Sequence, residues 1–158
     1  MRTITTEVFT FEELSDESKE KARDWFQAGN DFDFEWDCIK EDAATIGLIL
    51  SAWDYGRYAK GSFISEAKDT AEKIMKEHGQ DCETFKTASD YLEEVKALED
   101  TEDNEDALES ADTEFLKSML EDYRIMADKQ HDYINSDEAV DENIIINEYE
   151  FTKEGKII

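Results

Sequence analysis

Apolar positions recur along this chain with two different periods, and the switches between them mark its elements. From Thr3 to Phe9, Ile4, Thr6 and Val8 alternate with Thr5, Glu7 and Phe9, which predicts a strand. Ser15 then stands as an N-cap before a helix carrying Ala22, Trp25 and Phe26 and stopping at Gly29, with Asp16 and Glu17 in the first turn. Asp31 to Asp37 alternates acids with Phe32, Phe34 and Trp36, so it reads either as an extended segment with one aromatic face or as the lead-in to a helix. The helical spacing of Trp36, Ile39, Ala43 and Ile46 up to Gly47 favours the second reading. Leu48 to Trp53 and Tyr58 to Ile64 predict a β-hairpin, with Gly56 supplying the positive φ of its turn.

Helices dominate the remainder. Ser65 is positioned to cap one, with Ala67, Ala71, Ile74 and Met75 on a single face and Gly79 after its end. A second starts near Thr84 and buries Phe85, Ala88, Tyr91, Leu92, Val95 and Leu98. A long one follows from about Glu105 to Tyr133, its stripe made of Leu108, Ala111, Phe115, Met119, Tyr123, Met126 and Gln130. Ser136 caps a short helix through Ala139, Val140 and Ile144, and Tyr149 to Ile158 reads as a hairpin turning at Lys153-Glu154-Gly155. With no repeat, no proline and no linker-like stretch, the expectation is one α+β domain over residues 1–158. It should hold a small, mostly antiparallel sheet shared by the terminal strands, several packed helices, and one long acidic helix in the C-terminal half.

Composition changes the picture through charge. The 39% apolar and 11% aromatic content suffices for a core, so disorder is not the reading. Yet 43 acids stand against 17 bases, a net of −26. Such a field excludes DNA, RNA and anionic membrane surfaces as direct electrostatic ligands. Solubility alone asks for a net charge of only about 2–8 in a small domain. Salt adaptation would be expected to replace lysines, but Lys outnumbers Arg 13 to 4. A basic protein surface is the partner this charge fits. The N-terminus lacks the pattern of a signal peptide, and no stretch reaches the ~20 apolar residues of a membrane span, so a cytoplasmic location is expected. Cys38 and Cys82 read as buried thiols in a reducing compartment.

Catalytic and metal chemistry find little support. Asp100, Glu102, Asn104 and Asp106 imitate the odd positions of an EF-hand loop, but Glu105 occupies the glycine position and Ala111 that of the bidentate acid. Asp31, Asp33, Glu35 and Asp37 fail in the same way, with Trp36 in the glycine's place. His78 and His131 have no ligand neighbour at helical spacing, and no phosphate loop or nucleophile elbow occurs. No metal, cofactor or catalytic residue is therefore expected, and the chain is read as a binding protein and not an enzyme.

The acid distribution remains. Seven acids and no base lie from Glu99 to Glu109, and the bias continues to Glu142 with only Lys117, Arg124 and Lys129 interrupting. Carboxylates on adjacent helical turns stand about 5–6 Å apart. Phosphates of one DNA strand advance about 3.4 Å per nucleotide. A rigid helix can thus present negative charge at nearly the density of a duplex. Glu99, Asp100, Glu102, Asp103, Glu105, Asp106, Glu109 and Asp112 are the candidate contacts.

Three runs carry a resemblance: Phe9 to Phe26, Glu41-Asp42-Ala43-Ala44-Thr45-Ile46-Gly47, and Asn147-Glu148-Tyr149-Glu150-Phe151-Thr152. Together they resemble a family of small acidic proteins encoded by bacteriophages and prophages and often labelled antitoxin-like. The likeness spans most of the chain and is most specific at its two ends; many relatives carry a longer Gly- and aromatic-rich segment before the hairpin. No family motif fixes an activity, so no site residue carries over. The resemblance implies a phage origin and a bacterial host cytoplasm. Combined with the charge, it leads to the expectation of an anti-defence inhibitor, anti-CRISPR or anti-restriction, that occupies a DNA- or RNA-binding groove of a basic host protein. An antitoxin-like protein neutralising a basic partner is the alternative.

Overall fold

The computed structural model describes all residues, Met1–Ile158. In chain order the elements are β1 (Phe9–Thr10), a 3-10 turn (Phe11–Glu13), α1 (Asp16–Ala28), α2 (Asp33–Thr45), β2 (Leu48–Asp54), β3 (Tyr58–Phe63), α3 (Ala67–Glu77), α4 (Glu83–Glu99), α5 (Glu105–Ile134), α6 (Asp137–Ile146) and β4 (Glu150–Phe151). The fold is α+β, with two small antiparallel sheets, β1–β4 and β2–β3, and a 30-residue α5, about 45 Å long. The chain forms two compact units, one of residues 1–32 and 130–158, the other of residues 33–129.

In the first unit, Phe9 pairs with Phe151 and Thr10 with Glu150. The Ser15 hydroxyl accepts from the Ser18 amide at 3.2 Å and starts α1, as its cap position predicts. Phe11, Leu14 and Ala22 close on Val140, Ile144 and Phe151, a core in which each large side chain contributes about 1.5–3 kcal/mol. The Arg23 guanidinium grips Asp141 through two bonds, 2.6 and 2.8 Å, and so fastens α1 to α6. Gly155 adopts φ +87°, and a Cβ there would lie 2.2 Å from the Ser18 carbonyl oxygen, so only glycine closes this turn.

In the second unit, α2 buries Ile39 and Ala43 and leads through Ile46 into the hairpin. Gly56 turns it at φ +67°, and the Arg57 amide donates to the Asp54 carbonyl at 3.0 Å. The helices α4 and α5 run antiparallel, Tyr91 stacking on Phe115 with ring centroids 4.3 Å apart and the Thr87 hydroxyl donating to Asp122 at 2.7 Å. Phe63 of β3 stacks on Phe115 at 5.5 Å. Tyr123, fully buried, donates its phenol to Asp42 of α2 at 3.0 Å, and burial raises its pKa.

Several expectations are corrected. The alternation from Thr3 to Val8 forms no strand, because the register of β1 on β4 would set Val8 against Thr152, where the chain already turns back on itself through the Gly155 amide bonded to the Thr152 carbonyl. The terminal strands pair with each other in a sheet of their own, apart from the hairpin's. Ser65 does not cap α3; Glu66 holds the N-cap position and the Ser65 hydroxyl bonds Asp69. Met75 lies off the buried face, which Ala67, Thr70, Ala71 and Ile74 make. The α5 stripe advances by four residues through Ala111, Phe115, Met119, Tyr123 and Ala127, so Met126 and Gln130 fall outside it. Both cysteines are exposed, since Cys38 faces away from Ile39 on α2 and Cys82 stands at the N-cap of α4.

Candidate partner-binding surface

Most of the acid run is concentrated where α4 gives way to α5. The turn is built by the Leu98 carbonyl, which accepts from the Thr101 amide (3.1 Å), the Thr101 hydroxyl (2.8 Å) and the Asn104 side chain (2.8 Å). Asp103 takes φ +54°, a conformation that Asp tolerates better than most residues. The Leu108 amide returns to the Asn104 carbonyl at 2.9 Å and opens α5.

The structure sorts the eight sequence candidates. Asp100, Glu102 and Asp103 are exposed on this turn; Glu105, Asp106 and Glu109 are exposed on the first turns of α5. Glu99 is exposed at the end of α4, but it is not without counter-charge: Lys68 of α3 reaches it at 3.2 Å. Asp112 is half-buried and accepts the Tyr91 hydroxyl, whose pKa is pushed up by burial first and by this carboxylate second. Asp112 therefore serves the packing of α4 on α5. Glu105 and Asp106 also have a partner that the charge count hides, the amide-rich N-terminus of α5. Six of the eight thus face water together without a basic side chain beside them.

Two further features escape a reading of the sequence. Asp128 pins the hairpin tip: its carboxylate accepts from Trp53 Nε1 (3.0 Å), the Gly56 amide (3.1 Å) and Arg124 (2.6 Å). Trp36 stacks on Trp53 at 6.1 Å, and Tyr55 in the turn and Tyr58 at the start of β3 are exposed. The second feature is a cavity of about 420 Å³ between the α3–α4 junction and α5. Its walls come from positions as distant as Asp42, His78 and Met126, so no local pattern could disclose it.

No three His, Cys, Asp or Glu side chains converge where they could hold a metal ion. No helix is long and apolar enough to cross a membrane. Comparison of the chain with protein-family models, with curated proteins and with solved structures finds no match.

Proposed function

We propose that this protein is a phage-encoded anti-defence inhibitor that acts by binding, not catalysis, in the cytoplasm of a bacterial host. Its partner is a basic nucleic-acid-binding protein, and the acidic α4–α5 turn with the first turns of α5 enters the groove that otherwise holds DNA or RNA. The observation that carries this reading is the exposure of Asp100, Glu102, Asp103, Glu105, Asp106 and Glu109 on one continuous stretch of chain, the α4–α5 turn and the first turns of α5. Glu105, Asp106 and Glu109 stand on a helix that is already formed, so less of their interaction is spent on lost backbone freedom. Opposite fields speed the encounter and make it steeply salt-dependent. The resemblance to small acidic phage proteins supports the same reading.

The test removes charge without changing shape: Glu102→Gln, Asp103→Asn, Asp106→Asn and Glu109→Gln together, leaving Glu99 and Asp112 with their structural partners. The parent chain, immobilised and exposed to host lysate, is expected to retain a nucleic-acid-binding protein that added duplex DNA or structured RNA releases. The quadruple variant should retain little of it. Equal retention by the variant, or a ternary complex with the nucleic acid still bound, would refute mimicry. A retained toxin with no nucleic-acid affinity would point to the antitoxin-like alternative.

A further inference from the structure

The cavity beside α5 lies on a different stretch of the second unit from the acidic turn. Its volume, about 420 Å³, falls in the range of small-molecule sites. Ile125 and Met126 form an apolar wall and are each 38% exposed, although the apolar stripe of α5 runs along other positions. Asp122 lies in the same wall, half-buried, with Oδ2 held by the Thr87 hydroxyl at 2.7 Å. It forms no ion pair, and burial together with Glu83 and Glu121 raises its pKa. His78 Nδ1 and the Thr84 hydroxyl, 2.6 Å apart, fix the opposite wall. Asp42, Glu77 and Glu83 also line it, with one base, Lys129.

We infer that this cavity is a binding site for a small amphipathic organic cation, an amine whose ammonium meets Asp122 and whose hydrocarbon body covers Ile125 and Met126. The charge of the lining selects the sign of the ligand. Asp122 is a half-buried carboxylate without an ion pair and is improved by an ammonium, whereas an anion would meet four carboxylates and one lysine. The apolar wall selects the body, because covering Ile125 and Met126 removes their exposed surface from water. A metal ion meets the charge requirement but would leave the apolar wall uncovered, and a neutral hydrocarbon covers the wall but would leave Asp122 without a counter-charge.

The probe is phenethylamine, with phenethyl alcohol as its neutral counterpart and hydrocinnamate as its anionic one. Binding is read on the whole chain from the Ile125 and Met126 methyl resonances, at physiological salt, where general surface attraction is screened within about 8 Å. The amine should shift both resonances saturably and bind about tenfold more tightly than the alcohol, the value of one charge-assisted hydrogen bond. Hydrocinnamate should leave both resonances unmoved. Asp122→Asn, which keeps an acceptor for Thr87, should bring the amine down to the alcohol's affinity. Met126→Lys should abolish binding by placing an ammonium of its own in the cavity. Glu93→Gln removes the same unit of charge at an exposed position of α4 that does not line the cavity, and should leave amine binding unchanged. Equal affinity for amine and alcohol, undiminished binding to Asp122→Asn, or an equal loss in Glu93→Gln would overturn the assignment. None of these outcomes touches the acidic turn, so mimicry stands or falls separately.

Discussion

Asp128 should hold the hairpin tip in place, and replacing it separates hydrogen bonding from charge. The carboxylate is 15% exposed and accepts from the half-buried Trp53 indole, from the Gly56 amide and from Arg124. Asp128→Ala takes away the carboxylate to which the half-buried indole N–H donates, at about 1–3 kcal/mol. Arg124 loses less, because Glu121 still accepts from its Nε and NH2 at 2.8 and 2.5 Å. The Gly56 amide is exposed and regains water at little cost. A total loss of roughly 2–4 kcal/mol follows. Removing one negative charge from a chain of net −26 acts in the opposite direction, by relieving repulsion. Asp128→Asn makes the same charge change but keeps a carbonyl acceptor, so it should lose only about half as much. Urea unfolding followed by tryptophan fluorescence measures both, and the exciton signal of the stacked Trp36 and Trp53 in circular dichroism reports the tip directly. Losses under about 0.5 kcal/mol in both variants, or equal losses in the two, would refute the pinning argument.

Phe115→Ala removes a ring held between Tyr91 and Phe63 and should cost about 3–5 kcal/mol in urea unfolding; a loss under ~1 kcal/mol would show that the site collapses without it. Asp122 titrates above its ordinary range because folding half-buries it, so its ionisation opposes folding above the folded pKa and the penalty fades as pH falls through that value. Asp122→Asn should therefore match or exceed the parent's melting temperature at neutral pH and lose that advantage in acid; an advantage that grows as pH falls would contradict the sign.

The helices and hairpin were legible because their signals are local. Ser15 and Ser136 cap α1 and α6, and Gly56 turns the hairpin, each through a contact within three residues or a single backbone angle. Ser65 failed locally, by a shift of one residue in the cap of α3, but the larger failures depended on distant partners. The alternation from Thr3 to Val8 has strand character but no strand to pair with, since the residues beyond Phe151 are committed to a turn. The acid run was legible as a run, yet two of its members belong to other work. Lys68 lies 31 positions from Glu99 and Tyr91 lies 21 from Asp112, and no spacing rule links them. The cavity and the Asp128 network follow the same logic: Trp53 and Asp128 are 75 residues apart.

How a chain of this charge folds bears directly on whether its acidic turn is available to a partner. Every helix begins with acids in its first turn: Asp16 and Glu17, Asp33 and Glu35, Asp69, Glu83, Glu105 and Asp106, Asp137 and Glu138. A carboxylate there is stabilised by the unbonded amides of the helix start, at about 0.3–1 kcal/mol each, without any cation. Glu105 and Asp106 are thus tolerated by backbone dipoles that leave their outer faces to solvent, whereas Glu99 and Asp112 are tolerated by Lys68 and Tyr91, which occupy them. The first kind of compensation keeps a charge presentable; the second consumes it. Of the four substitutions in the quadruple amide variant, Asp106→Asn lies in that first turn of α5, and its loss of dipole stabilisation should cost no more than about 1 kcal/mol. The other three lie outside the first turn and touch neither ion pair nor core, so far-UV circular dichroism should be unchanged while partner retention falls. Stability and binding part company at this turn because the helix, and not a neighbouring base, supports its charge.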